Sequence, residues 1–136
     1  MKNKFGFILI KPQLGENIGA CARSMKNFGF TKLHIVSPKI NFPNHKAKAT
    51  SVGAFDIINK AKVFNETNEA ISDFDTVISL SARRRDINKK HISLNDFVKL
   101  VKKKKNSNFG LMFGAEASGL SNEDLSFSNY VLHIPT

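Results

Sequence analysis

The chain has 136 residues, 41% hydrophobic and 24% charged, a length and balance that fit one globular domain and exclude low-complexity and fibrous classes. Its 21 Lys and Arg against 11 Asp and Glu give a formal charge of +10, which points to an anionic partner such as RNA, DNA or acidic lipid. A single cysteine, Cys21, excludes an intrachain disulfide and a thiolate zinc cluster.

Residues 5–10 form a continuous apolar run, the mark of a strand buried on both faces of a parallel sheet. After the loop Pro12-Gln13-Leu14-Gly15, residues 16–28 repeat apolar side chains at helical spacing: Ile18, Cys21, Ala22, Met25 and Phe28. Gly29 supplies the stop. Residues 32–36 read as a second strand, ended by Ser37-Pro38, so this strand–helix–strand unit predicts a right-handed parallel crossover. Residues 46–58 read as a helix weakened by Gly53, 61–64 as a short strand, 67–74 as a helix and 76–80 as a buried strand. The polar, basic stretch 81–91 reads as a loop.

Ser93, with Asp96 three residues on, starts a helix whose apolar face is Leu94, Phe97, Val98 and Val101 and which ends in Lys102-Lys103-Lys104-Lys105. Residues 109–113 and 130–134 are the last predicted strands. Strands and helices alternate throughout. The prediction is therefore an α/β fold, a mostly parallel sheet with helices on both faces, in a single domain over 1–136.

Between the last two strands lies Gly114-Ala115-Glu116-Ala117-Ser118-Gly119, followed by a capping-box-like start in which Ser121 precedes Asp124. A strand that ends in a tight loop carrying one fixed carboxylate is how open α/β sheets build ligand crevices. Near the start of the chain, Asn17-Ile18-Gly19-Ala20-Cys21-Ala22-Arg23 opens the first helix. Asn17 can cap it, Gly19 and Ala20 permit close packing, and Arg23 offers five fixed donors to a phosphate or carboxylate. Both Asn17 and Arg23 are expected in the first two turns, facing the carboxyl edge of the sheet. Taken singly, each segment also fits an ordinary capped helix or βα turn.

Asn-x-Gly-x-x-x-Arg followed by Phe-Gly, then Gly-x-Glu-x-x-Gly-Leu-Ser-x-Glu, then Val-Leu-His-Ile-Pro occur here in one order. That combination resembles the SpoU–TrmH family of RNA ribose methyltransferases, and within it the branch that methylates the ribose of the tRNA anticodon loop. The likeness runs from Phe7 to Pro135. It implies S-adenosylmethionine as cofactor and a SPOUT-type sheet whose C-terminal segment threads a trefoil knot. It implies tRNA, or else rRNA, as substrate, and a homodimer in which the arginine of one subunit approaches the other's cofactor pocket.

Position by position, Arg23 matches the catalytic arginine, Asn17 the asparagine that accompanies it, and Glu116 the loop carboxylate. Leu80-Ser81-Ala82, Gly114 and the backbone at Ile134 match the cofactor cradle. Because a guanidinium is too basic to serve as a base, Arg23 is read as binding the RNA phosphate or the developing oxyanion. Glu116 is read as orienting Arg23 or a loop amide.

Arg83-Arg84-Arg85 directly follow the cofactor strand and are expected to contact RNA phosphates; the tetralysine fits phosphate contact and helix-dipole compensation equally. The Phe residues sit at core spacing, so no aromatic base-stacking platform is predicted. The four His show no metal-ligand spacing, His133 reads as a satisfied packing residue, and no metal is expected. No Gly-x-Gly-x-x-Gly, P-loop or run of membrane-spanning length occurs, and a cytoplasmic protein is expected.

The sequence stops at Ile134-Pro135-Thr136, where the family's third motif and knot-closing helix begin, so the domain is expected to be C-terminally incomplete. Two other classes stay open: a catalytically inactive basic RNA-binding module of the same fold, and a small-ligand α/β protein.

Overall fold

The structure, a computed structural model, describes residues 4–42, 44–81, 88–116 and 118–134. Its elements run β1 (Lys4–Ile10), α1 (Gly15–Asn27), β2 (Lys32–Val36), α2 (His45–Thr50), α3 (Phe55–Lys60), β3 (Lys62–Phe64) and α4 (Thr67–Ala70). They continue with β4 (Thr76–Ser81), β5 (Lys90–Ile92), α5 (Leu94–Lys103), β6 (Asn108–Phe113), α6 (Asn122–Ser126) and β7 (Tyr130–His133). The strands form one seven-stranded sheet in the order β3-β2-β1-β6-β4-β7-β5. All six strand pairings are parallel, as the apolar runs require.

Alternation along β1 splits its side chains between two layers. Ile8 and Ile10 join Val36, Val77, Met112 and Val131 on one face, beneath Ala70 of α4 and Leu125 of α6. Phe7 and Leu9 pack on the other face with Leu33 and Ile35, beneath Ile18, Ala22 and Met25 of α1 and Ile57 and Ile58 of α3. On that second face, farther along the sheet, Phe97, Leu100 and Val101 of α5 cover Ile78, Phe109 and Leu132. Helices therefore lie on both faces.

Several predicted elements change. The helix expected over 46–58 is two short helices, because Val52 and Gly53 both take positive φ (25° and 80°) and turn the chain between them. The helix expected over 67–74 keeps only one turn before its chain loops back toward β4. The end of the predicted basic loop, Lys90 and His91, joins Ile92 in an edge strand paired with β7. Phe28, expected on the buried face of the first helix, is 78% exposed, because α1 ends one residue before it.

The Ser93–Asp96 capping box forms in full, with Asp96 N donating to Ser93 Oγ (3.1 Å) and Ser93 N to Asp96 Oδ2 (3.2 Å). At α6 only half of it forms. Ser121 caps Asp124 N (3.1 Å), while the Asp124 carboxylate instead accepts from Ser121 Oγ (2.9 Å) and from the buried Thr67 hydroxyl (3.0 Å). That last bond ties α6 to the start of α4.

Gly19 explains how α1 sits so close to α2. A β-carbon there would overlap Thr50 Oγ1 and the Ala47 carbonyl, which is backbone and cannot swing away. Ala20, by contrast, is exposed. Gly19→Ala should force α2 outward and lower stability by about 2 kcal/mol, read by chemical denaturation.

His34 is buried in β2 between the Phe64 and Phe74 rings, and its Nδ1–H donates to the Ala70 carbonyl (2.8 Å). Burial pushes its pKa below the ordinary value, and Lys32 and Lys62 add to that; the Ala70 carbonyl and Asp73 oppose it. The unfolded chain takes up a proton that the folded chain resists. Stability should therefore be full above about pH 6.5 and fall as pH drops below it, levelling beneath the folded-state pKa. Thermal unfolding followed across that range should show the slope, and His34→Gln should flatten it.

Candidate functional site

Strand order fixes where a site can form. From β1 the chain turns toward β2 and β3, whereas from β6 it turns the opposite way to β7, yet β1 and β6 are neighbours. Loops leave the carboxyl ends of these two strands in opposite directions, the switch-point crevice where open α/β sheets hold ligands. The β1–α1 loop (residues 11–14) and the β6–α6 loop (residues 114–121) form its walls.

One carboxylate joins them. Glu116 accepts from Gln13 N (3.0 and 3.2 Å to its two oxygens), from Leu14 N (2.9 Å) and from Asn17 Nδ2 (3.0 Å). Gln13 and Leu14 precede α1, where backbone amides have no helical partner, so Glu116 supplies an acceptor that the helix cannot. A carboxylate only accepts, which fixes the amide nitrogen of Asn17 as the atom that faces it. Burial alone would raise the Glu116 pKa, but the bonds from Gln13, Asn17 and Leu14 outweigh it and hold the group below the ordinary carboxylate value.

The Gly-x-Glu-x-x-Gly loop presents that carboxylate by folding back on itself. Ala115 and Gly119 pair across it, with Gly119 N donating to the Ala115 carbonyl (2.8 Å), and Gly119 takes φ 70°. A β-carbon at Gly114 would overlap the Gly119 and Leu120 backbone, so both glycines are required by the turn. Beside the clamp lies a pocket of about 200 Å³ edged by Lys11, Ser118 and Ser121.

The structure brings some predicted site residues together and leaves others apart. Asn17 and Glu116 meet directly. Arg23 does not join them. It lies in the third turn of α1, not the first two, exposed and without a hydrogen bond or ion pair among the described residues. Glu116 orients loop amides and leaves Arg23 alone, because it sits at the opening of α1 while six residues of helix carry Arg23 to a different side.

Leu80, Ser81, Gly114 and Ile134 stand at the carboxyl ends of β4, β6 and β7, three adjacent strands, and Ile134 N reaches the Ser81 carbonyl (3.4 Å). Ala82 and Arg83-Arg84-Arg85 lie outside the described residues. His133 is not fully satisfied: its buried Nδ1 has no hydrogen-bond partner among the described residues. Among those residues, no group of three or more His, Cys, Asp or Glu is placed to hold a metal, and no helix is long and apolar enough to cross a membrane. Sequence reasoning did not single out the Gln13 and Leu14 amides, since no side-chain pattern marks a backbone donor; the turn residue Pro12 beside them was the available signal.

An all-parallel α/β sheet with two clamped loops at its switch point is the frame of a ligand-binding α/β domain. The chain belongs to the SpoU rRNA Methylase family, whose model matches residues 4–136. It is 39% identical to tRNA (cytidine-2′-O-)-methyltransferase TrmJ of Methanocaldococcus jannaschii, over 95% of this chain and 56% of that protein. It is 34% identical to tRNA (cytidine/uridine/adenosine-2′-O-)-methyltransferase TrmJ of Pseudomonas aeruginosa, over 100% of this chain and 53% of that protein. Among solved structures, TrmJ from Z. mobilis ZM4 superposes with a TM-score of 0.90 at 32% identity, covering 96% of this chain and 58% of that one. The chain thus spans little more than half the length of the relatives it matches.

Glu116→Ala should free the two loop amides. Hydrogen exchange at Gln13 and Leu14 should accelerate about tenfold, while amides in β1 stay protected.

Proposed function

We propose that this chain transfers a methyl group from S-adenosylmethionine to a ribose 2′-hydroxyl of RNA, with tRNA as the substrate class. The observation that carries the reading is the Glu116 clamp, which joins the family's two arginine- and glutamate-bearing motifs into one crevice at the switch point. The names of the two curated relatives, both tRNA 2′-O-methyltransferases, support the substrate class.

The residues present fit the cofactor. Leu80, Ser81, Gly114 and Ile134 offer strand-end backbone groups and small or aliphatic side chains on three neighbouring strands, with Ala82 continuing β4 in sequence. When bound there, S-adenosylmethionine supplies an electrophilic methyl group on a sulfonium. Transfer to a hydroxyl is an in-line displacement, so the protein's main task is positioning.

Arg23 presents a rigid fork of donors, suited to an RNA phosphate or to the oxygen that develops negative charge. Glu116 is committed to its three donors, so it holds the crevice in shape and does not take the ribose proton. Asn17, held through its amide nitrogen, keeps its carbonyl oxygen as an acceptor for the substrate.

The reading extends to a cytoplasmic homodimer. Arg23 has no partner within its own chain among the described residues, as suits a side chain that serves a second copy's pocket. Val52 and Phe55, both half or more exposed beside α1, are apolar surface that a second copy would cover. Arg23→Ala should lower methyl transfer to tRNA by about a hundredfold while calorimetry still detects cofactor binding. Unchanged transfer would remove Arg23 from the mechanism. A protein that binds tRNA but gives no calorimetric signal with S-adenosylmethionine would be the inactive RNA-binding module.

A further inference from the structure

The edge of the sheet opposite the Glu116 clamp carries a second set of features that the methyl-transfer reading does not use. There β1, β2 and β6 begin, and α1 and α5 end. Between them is a cleft of about 850 Å³ lined by Phe5, Phe28, Phe30 and Phe74, with Lys4 and Lys32 also on its walls. Phe28 is the anomaly. It follows the last residue of α1 and stands 78% exposed, beside a half-buried Phe30 whose ring packs on Phe5 (5.6 Å between centroids). An exposed aromatic ring over an aromatic floor is a surface on which a planar group can stack.

The charge around it is mostly positive. Lys102 and Lys103 close α5, Lys104 and Lys105 follow, and the chain then enters β6 alongside β1, where Lys4 N donates to the Ser107 carbonyl (3.1 Å). Lys104 reaches Thr76 at the start of β4 (3.3 Å) and Lys103 lies near Tyr130 at the start of β7, so the tetralysine continues the amino edge away from Lys4 and Lys32 toward β4 and β7. The acidic groups nearby are already engaged. Asp73 pairs with Lys32 (3.4 Å), and Asp75 accepts from Asn108 N (2.8 Å). Lys4, Lys102, Lys103 and Lys105 have no carboxylate partner among the described residues.

We propose that this amino edge is a second RNA contact, in which an unpaired base stacks on Phe28 and its flanking phosphates lie against Lys4 and the tetralysine. Stacking on an exposed aromatic beside a cationic track is how single-stranded RNA is held without sequence reading. A second copy of this chain is the poorer occupant, because it would bring the same lysine excess against itself, with Asp73 already paired to Lys32. β1 alone separates the two edges by about 23 Å, a span a folded RNA bridges easily. The inference rests on the RNA reading of the preceding section and extends it to a surface remote from the crevice.

The chain contains no Trp, so Phe28→Trp installs a single indole, excited apart from Tyr130, on an exposed position. Titration with single-stranded oligoadenylate should quench the introduced indole, with an affinity that falls steeply as KCl rises. Phe28→Ala should weaken binding of labelled oligoadenylate about tenfold and Phe28→Tyr should retain it, with unfolding temperatures unchanged. Lys4→Glu combined with Lys103→Glu should weaken it further. If labelled tRNA binds but the indole emission does not respond to either RNA, the amino edge is not a contact, and the methyltransferase reading stands without it. Emission that shifts with protein concentration in the absence of RNA would assign the edge to a second copy and overturn the proposal. Failure of the unmodified chain to bind any RNA would overturn both readings together.

Discussion

The carboxylate of Glu116 is the constraint on which the site depends. Two loops that leave the sheet in opposite directions have no reason of their own to stay together, and the crevice between them exists because one side chain accepts hydrogen bonds from the other loop's backbone. The arrangement is economical in donors. Gln13 and Leu14 lie where a helix start leaves amides unpaired, so the clamp satisfies groups that would otherwise need water. The same anchor fixes the entry of α1, and through α1 the place of Arg23 on the molecular surface.

Packing carries that anchor into the body of the fold. Gly19, inside the motif that contains Asn17 and Arg23, is where α2 rests against α1. The motif's glycine thus serves the architecture while its asparagine serves the crevice. On the opposite face, the Thr67–Asp124 hydrogen bond performs a matching task, tying the helix after the glutamate loop to the helix beneath β2 and β3. The loop between β6 and α6 is therefore held at both ends, by its turn at one and by a buried polar contact at the other.

Much of this was legible in the sequence, for reasons that also explain the failures. Strands buried on both faces announce themselves as apolar runs, and β1, β2, β4, β6 and β7 were read on that basis. β5 was not, because Lys90-His91-Ile92 is a short edge strand with only one apolar residue to mark it. Phe28 fits the helical repeat of α1, but periodicity cannot say where a helix stops, and one residue decided whether that ring was core or surface. Gly53 was recognised as a weakness, whereas the positive φ of its neighbour Val52 carries no sequence signature. The family motifs named Asn17 and Glu116 as site residues, but the hydrogen bond from Asn17, across 99 residues of chain, was not foreseen for Glu116. Its backbone partners at Gln13 and Leu14 required the structure.

The order of the strands has a consequence for how the protein is made. β1 lies at the centre of the sheet, but one of its two neighbours, β6, is about a hundred residues away in sequence, with Lys4 beside Asn108 and Leu9 beside Phe113. Emerging from the ribosome before the other strands of the sheet, β1 can pair early only with β2, through the local crossover of α1. Its other edge, an apolar strand with unpaired backbone groups, waits until nearly the whole described chain has been synthesised. Closure of the sheet is thus a late, long-range event, the kind of step that sets slow folding rates and exposes a sticky edge in the interval. The two halves meet along the β1–β6 seam, which is also the floor of the crevice, so this late pairing also brings together the two strands whose loops form the functional site.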